Sequence, residues 1–206
     1  MNIYIIRHGK TFLNMMQKNQ GWIDSDLTND GIEELKENIK EINLPEFDKI
    51  YCSDLGRTRK TLDIILEQSN INSKDNIEYT TNLRERFLGS FEGDYLNENR
   101  EIISKKEGYE SFKKFMLKNT FWDLVDATKK YDPQNLAENF AEFSGRIDIE
   151  ISNIINNNDN NVLIVSHSNT VKYIIQKLTN NFGDFDIPNG KIFKLIKNID
   201  GNWSIE

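Results

Sequence analysis

The chain has a single cysteine, Cys52, so no disulfide can form within it and a reducing compartment suits it. It has no apolar run long enough to cross a bilayer, and Arg7 interrupts the first apolar stretch too early for a secretory leader. A cytoplasmic protein without membrane partners is expected. Basic residues are outnumbered, 26 against 33, for a net charge of -7. That balance gives no general attraction to nucleic acid or anionic lipid, so any bound anion must be held by a local cluster of cations. Histidine is scarce too, with only His8 and His167, and no Cys/His cluster of zinc-ligand spacing exists. No metal and no other cofactor is expected. There is no G-x-S-x-G elbow, which disfavours a serine hydrolase. Four residues separate Cys52 from Arg57, too few for the nucleophile loop of a cysteine phosphatase. Cys52 therefore reads as a small buried hydrophobe.

What remains fits an α/β domain. The 206 residues are 37% hydrophobic and 29% charged, enough to bury one full core. The two histidines have matching settings. Ile3-Tyr4-Ile5-Ile6 runs into Arg7-His8-Gly9-Lys10-Thr11, and Val162-Leu163-Ile164-Val165 runs into Ser166-His167-Ser168-Asn169. Short apolar runs bounded by turn residues read as buried strands, and open α/β sheets bind ligands at the carboxyl ends of such strands. Further strands are predicted at 48–52 and 77–80, with a closing pair around 192–196 and Trp203. Helices are predicted after Thr11, from Thr28 to a stop at Pro45, after Ser53 through Leu66, from Pro133 through Leu136 to Ile154, and over 169–178. Residues 83–93 lack a period and read as a shaped loop. Residues 95–131 are helical without a strand signal, so they read as an inserted cap with Tyr109, Phe112, Phe115 and Met116 as its core. The Asn-rich run 156–161 reads as a solvent loop. The expected architecture is one domain over 1–206: a mostly parallel central sheet flanked by helices, a three-layer α/β/α fold, with the helical cap inserted.

Three strand ends then supply Arg7, His8, Arg57 and His167, with Glu85 nearby. Guanidiniums bind phosphate through paired N–H groups and stay charged. An imidazole with one free ring nitrogen can attack phosphorus. A carboxyl group can protonate a leaving oxygen and later deprotonate water. Arg59 and Lys60 read as solvated helix charges, whereas Arg84 and Arg86 fit either surface pairs or the lining of a substrate entrance.

These residues resemble the histidine phosphatase superfamily, the phosphoglycerate mutase-like family. Arg7-His8-Gly9-Lys10-Thr11 is similar to its signature, Asn14 to its phosphate-contacting Asn, and Asp26-Leu27-Thr28 with Gly31 to its D-x-L-T-x-x-G segment. Ser53-Asp54-Leu55-Gly56-Arg57 resembles S-x-L-x-R. Leu83-Arg84-Glu85 with Gly89 and Glu92-Gly93 resembles the stretch that carries the acid/base Glu, and Val165-Ser166-His167 the second-histidine motif. Residues 95–131 lie outside the match. The resemblance implies that His8 becomes phosphohistidine, that Arg7, Arg57 and a protonated His167 hold the phosphoryl oxygens with help from Asn14, and that Glu85 is the proton donor. Two positions depart from the pattern, Lys10 where Glu is usual and Ser168 where Gly is usual. Lys10, Asn14, Arg86 and Ser168 are the expected substrate contacts. The implied activity is metal-independent hydrolysis of a small phosphomonoester, a sugar phosphate or a bisphosphate. The alternatives are a phosphoglycerate mutase and a non-catalytic phospho-ligand binder.

Overall fold

The computed structural model describes residues 1–71, 74–157, 159–183 and 185–206, so Asn158 of the Asn-rich run lies outside the described residues. Six strands form one sheet: β1 (Asn2–Arg7), β2 (Lys49–Ser53), β3 (Ile77–Thr80), β4 (Asn161–Ser166), β5 (Ile192–Lys197) and β6 (Trp203–Ile205). Their spatial order is β3-β2-β4-β1-β5-β6. The pairs β2/β3, β2/β4 and β1/β4 are parallel, and β1/β5 and β5/β6 antiparallel. The helices are α1 (Phe12–Met15), α2 (Asn29–Lys40), α3 (Gly56–Ser69), α4 (Leu96–Lys106), α5 (Phe112–Met116), α6 (Phe121–Tyr131), α7 (Phe140–Asn156) and α8 (Ser168–Thr179).

The apolar runs alternate between two cores. Ile3, Ile5, Val162 and Ile164 face α7 and α8, packing with Phe143, Ile147, Ile151, Val171 and Ile174. Tyr4, Ile6, Leu163 and Val165 face the opposite way, onto Leu35, Ile39, Leu62 and Ile65 of α2 and α3. A strand apolar on both faces must be covered on both, which makes the three layers. Each fully buried Ile or Leu contributes roughly 1.5–3 kcal/mol. The cap has its own small core, in which Phe115, Leu124, Ile103 and Ala127 pack with Tyr109, Phe112 and Met116.

Two predicted helix ends shift. Helix α2 stops at Lys40, well before Pro45, with Glu41 as its C-cap; Ile42, Leu44 and Phe47 join the same core from beyond the helix end. Helix α7 begins at Phe140 and excludes Leu136, which is exposed. Asn139 takes the cap role: its side chain accepts from Glu142 N while Glu142 returns a bond to Asn139 N. Residues 133–137 instead wrap Asp132, whose carboxylate accepts from Gln134, Leu136 and Ala137 N. The segment 83–93 is a loop, as expected, with a short 3₁₀ turn at Gly89–Phe91.

Candidate active site

Parallel pairing aligns the carboxyl ends of β1, β2 and β4 at one edge of the sheet. His8 follows β1, Ser53 ends β2 with Arg57 in the first turn of α3, and His167 links β4 to α8. The two imidazoles meet edge to face with ring centres 5.2 Å apart. Beside them lies a cavity of ≈ 270 Å³. Its lining includes Arg7, His8, Asn14, Arg57, Glu85, Arg86 and Ser168, all expected, together with Lys18, Asn19, Gln20, Arg100, Phe121, Asn169 and Asp186, which were not.

His8 is buried, and its Nδ1 donates to the Gly9 carbonyl at 2.8 Å. That bond puts the proton on Nδ1 and leaves the Nε2 lone pair available. Burial, followed by the charges of Arg57 and Arg7, holds the pKa well below the ordinary 6.5. A neutral imidazole with Nε2 unprotonated is the form a nucleophile requires. The Gly9 N–H is tied to Thr61 Oγ1 at 3.0 Å, which anchors the turn after β1 to α3.

Arg57 is 2% exposed and almost fully bonded. It donates from Nη2 to Gly21 O at 2.6 Å, from Nη1 to Ile23 O at 2.9 Å and Asp24 at 3.2 Å, and from Nε to His167 Nδ1 at 3.2 Å. A paired grip on phosphate by this guanidinium therefore requires some of these bonds to be exchanged. The start of α3 is likewise committed, because Gly56 and Arg57 N both donate to Asp24. Helix N-termini favour anions, and this one is already capped by a carboxylate. Gly21 makes this loop possible: it has φ +50°, and a Cβ there would sit 2.0 Å from Glu92 Oε1. Glu92 in turn accepts from Trp22 N, Ile23 N and Leu88 N, joining the two loops that frame the cavity.

His167 Nε2 lies 2.8 Å from Ser53 Oγ. Burial and then the Arg57 charge depress its pKa well below 6.5, so without an anion the imidazole is neutral; the cation expected from the resemblance is the form beside a bound phosphate dianion. Both site histidines thus share one linkage. Folded, they are neutral; unfolded, they titrate near 6.5. The unfolded chain takes up more protons below that pH, so folding stability should fall as pH drops below about 6.5, by at most roughly 1.4 kcal/mol per pH unit for each histidine. Urea unfolding at pH 7.5, 6.5 and 5.5, without added anion, should show a small loss over the first step, about 0.7 kcal/mol for the two histidines, and a loss of about 2 kcal/mol over the second. Equal stability at pH 6.5 and 5.5 would contradict it.

Glu85 is 8% exposed and bridges two elements, accepting from Arg86 N at 2.8 Å and from Asn169 N at 3.1 Å. Its loop is held from outside the cavity. Ser166 Oγ donates to Leu83 O, Thr170 Oγ1 to Arg84 O and Trp22 Nε1 to Glu85 O. Arg146 of α7 donates to the carbonyls of Asn82, Arg84 and Glu85 while its other edge pairs with Glu138. The only sequence signal for this clamp was a cation bordering the apolar stripe of Phe143 and Ile147. Arg146→Met should cost about 3 kcal/mol in urea unfolding, since it leaves Glu138 and several carbonyls without their donor. A loss below ~1 kcal/mol would show that the clamp is dispensable.

The remaining expectations separate cleanly. Asn14 Oδ1 accepts from Thr11 N and from Asn189 Nδ2, so its amide N–H groups are free to face the cavity it lines. Arg86 is buried, held over the Phe121 ring, and lowered to about 10 by desolvation, still a cation at neutral pH. Arg84 turns away: it pairs with both oxygens of Asp54 and stacks over Trp22. Lys10 is half-buried and is absent from the cavity lining, so the extra cation expected at the mouth is not supplied by it. It serves through its backbone, whose carbonyl accepts from Thr28 N and lies 2.6 Å from where a Cβ on Gly31 would be. Cys52 is fully buried, its thiol pushed up to about 12 by desolvation, and is no nucleophile.

Three buried N–H groups of cavity-lining residues, Arg7 Nε, Gln20 Nε2 and Arg86 Nε, hydrogen-bond to nothing in the protein. Buried donors left unpaired cost about 1–3 kcal/mol each, so these three guanidinium and amide groups in the cavity wall are the ones with hydrogen-bonding capacity to spare. Among the described residues no group of His, Cys, Asp and Glu is arranged to hold a metal, and no helix is long and apolar enough to cross a membrane.

Comparison with known proteins points the same way. The family model described as histidine phosphatase superfamily (branch 1) matches residues 3–205. A broad-specificity phosphatase of Saccharomyces cerevisiae is 30% identical over 183 residues, covering 86% of this chain and 70% of the relative. A 2,3-bisphosphoglycerate-dependent phosphoglycerate mutase of Blochmanniella floridana is 31% identical over 220 residues, covering 96% and 92%. The crystal structure of a phosphoglycerate mutase from Bacillus anthracis superposes with a TM-score of 0.87 at 30% identity, covering all of this chain and 91% of that one.

Proposed function

The chain belongs to the histidine phosphatase superfamily, and we propose that within it this protein is a phosphomonoesterase that works through a phosphohistidine on His8. The observation that carries this reading is the pairing of an imidazole whose Nε2 is free with a cavity lined by Arg7, Arg57 and Arg86. In the proposed cycle His8 Nε2 attacks phosphorus, the P–O ester bond breaks, and Glu85 gives its proton to the leaving oxygen. Water, deprotonated by Glu85, then attacks the phosphohistidine and releases phosphate. Arg7 and Arg57 oppose the charge that accumulates on the phosphoryl oxygens, with Asn14 and Ser168 at the rim.

Beyond the phosphoryl site the cavity offers two kinds of group. Arg86, Arg100 and Lys18 suit a second anionic substituent, and Asn19, Asn169 and Asp186 suit hydroxyls. The substrate class that uses both is a small sugar phosphate or bisphosphate.

Mutase chemistry is the second reading, favoured by the position of Arg86 in the cavity and by the mutase relatives. It needs cations that keep a bisphosphate in place while it turns. Among the described residues, the cap sends Arg100 alone of its cations into the cavity. Lys130 pairs outward with Glu107, and Lys129 with Glu142. That distribution supports hydrolysis. Supplying 3-phosphoglycerate with catalytic 2,3-bisphosphoglycerate, beside a panel of sugar phosphates, should give phosphate release from the panel faster than 2-phosphoglycerate formation. The reverse order would establish the mutase. No turnover of any phosphomonoester, including nitrophenyl phosphate, would leave a phospho-ligand binder.

A further inference from the structure

His167 has both ring nitrogens engaged. Arg57 Nε donates to Nδ1 at 3.2 Å, and a guanidinium does not lose its proton, so Nδ1 must be the unprotonated nitrogen. The single imidazole proton therefore sits on Nε2 and is donated to Ser53 Oγ at 2.8 Å. Ser53 is fully buried at the end of β2, and so is His167 at the end of β4. A neutral ring in this tautomer presents a lone pair, not a proton, on the side of Arg57, which itself lines the cavity. It would repel a phosphoryl oxygen arriving there.

The groups facing this ring decide when it can change. Burial opposes protonation first; the neighbours are Arg57 from α3, the neutral His8 from the turn after β1, Arg146 from α7 and Arg7 from β1, and the three guanidiniums oppose it further. The nearby carboxylates are Glu85, bonded to Asn169 N, and Asp24, on the far side of Arg57. A dianion entering beside Arg57 reverses that balance and competes for Arg57 Nε.

We propose that Ser53 is a positioning residue that makes anion binding proton-linked. By holding Nε2–H, it keeps His167 in one tautomer and orientation. When a dianion draws Arg57 Nε away, Nδ1 takes one proton from solvent, and the imidazolium donates from Nδ1 to the anion and from Nε2 to Ser53 Oγ. This rests on the phosphoryl-site reading above and adds to it a defined proton uptake and the residue responsible.

The test uses sulfate, a dianion that does not titrate near neutrality, so any proton taken up belongs to the protein. Calorimetry in buffers of different ionisation heat should give uptake of about one proton on binding, and the sulfate Kd should rise roughly tenfold per pH unit between pH 6 and 7. Nitrogen-15 NMR should place that proton on His167 Nδ1. Assignment is direct, because the other histidine, His8, carries its proton on Nδ1 from the start. Ser53→Ala should weaken sulfate by about 10–100-fold, the worth of a hydrogen bond to a charged group, and flatten the pH slope. Ser53→Thr, which keeps the hydroxyl, should restore both. Sulfate binding to the parent without proton uptake, or uptake at a group other than His167, would overturn the proposal even if Ser53→Ala failed to fold. So would a Ser53→Ala protein that keeps the parent's affinity and slope. Turnover of nitrophenyl phosphate by the parent keeps the two readings apart. Activity without proton-linked binding removes this inference only, whereas no activity and no binding of sulfate or phosphate removes the phosphoryl site.

Discussion

His8→Ala should lose turnover by about 10⁴–10⁶-fold on every phosphomonoester, the scale seen when a covalent nucleophile is removed. The physical reason is that neither the cysteine nor the second histidine can take its place. Cys52 is buried with its thiol pushed up to about 12, and His167 has both ring nitrogens committed to Arg57 and Ser53. Binding of the anion should survive, because Arg7, Arg57, Arg86 and Gln20 are untouched. Brief incubation of the parent with a phosphorus-labelled substrate, followed by quenching, should give a label that is stable in base and lost in acid, as a phosphoramidate is. The same label on the His8→Ala protein, or a label stable in acid on a serine, would mean that another residue attacks.

Glu85→Gln should separate substrates by their leaving groups. General acid catalysis contributes about 10²–10⁴-fold when the leaving oxygen is a poor leaving group and little when it is already acidic. Glu85 accepts from two backbone N–H groups, and its loop is secured by Arg146, Thr170 and Trp22, so the carboxyl is held at one place in the cavity wall. An amide can accept only one of those two bonds, so some loss of order is expected for any substrate. The kcat on an alkyl phosphate should nevertheless fall at least ~10²-fold further than on nitrophenyl phosphate. Equal losses on the two would reduce Glu85 to a residue that shapes the pocket. If the loop alone were at fault, Arg146→Met would reproduce the Glu85→Gln pattern; loop disorder by itself should lower both substrates together.

The sequence by itself determined the frame of this protein and pointed to the residues of its candidate site. Alternating burial is written into Ile3-Tyr4-Ile5-Ile6 and Val162-Leu163-Ile164-Val165, because a strand's period of two is a local property of the backbone. The abrupt change to Arg7-His8-Gly9 and Ser166-His167 placed both histidines at strand ends without knowledge of any neighbour. Thr11 and Thr28 signalled helix starts through the reach of a hydroxyl to the next turn, again a local matter. The start of α7 was misplaced because Pro133 is a weaker signal than the wrap around Asp132, which depends on contacts the pattern does not encode.

Only the tertiary structure decided how the charged groups divide. Arg84 and Arg86 are two residues apart and indistinguishable by pattern. The first is claimed by Asp54, from the loop after β2, and the second is buried under Phe121, from the cap. Lys10 carried a cation at the right place in the motif, yet its side chain takes no part in the cavity lining, whereas Lys18 and Arg100 do. His167 is held neutral by burial and then by Arg57, and its partners Ser53 and Arg57 are more than a hundred residues away along the chain. A charge's role depends on its hydrogen-bond partners and on the solvent it has lost, and both are set by packing between distant segments. Periodicity and caps report on neighbours within a few residues, so they placed the candidate groups at strand ends but left their protonation and partners to the fold.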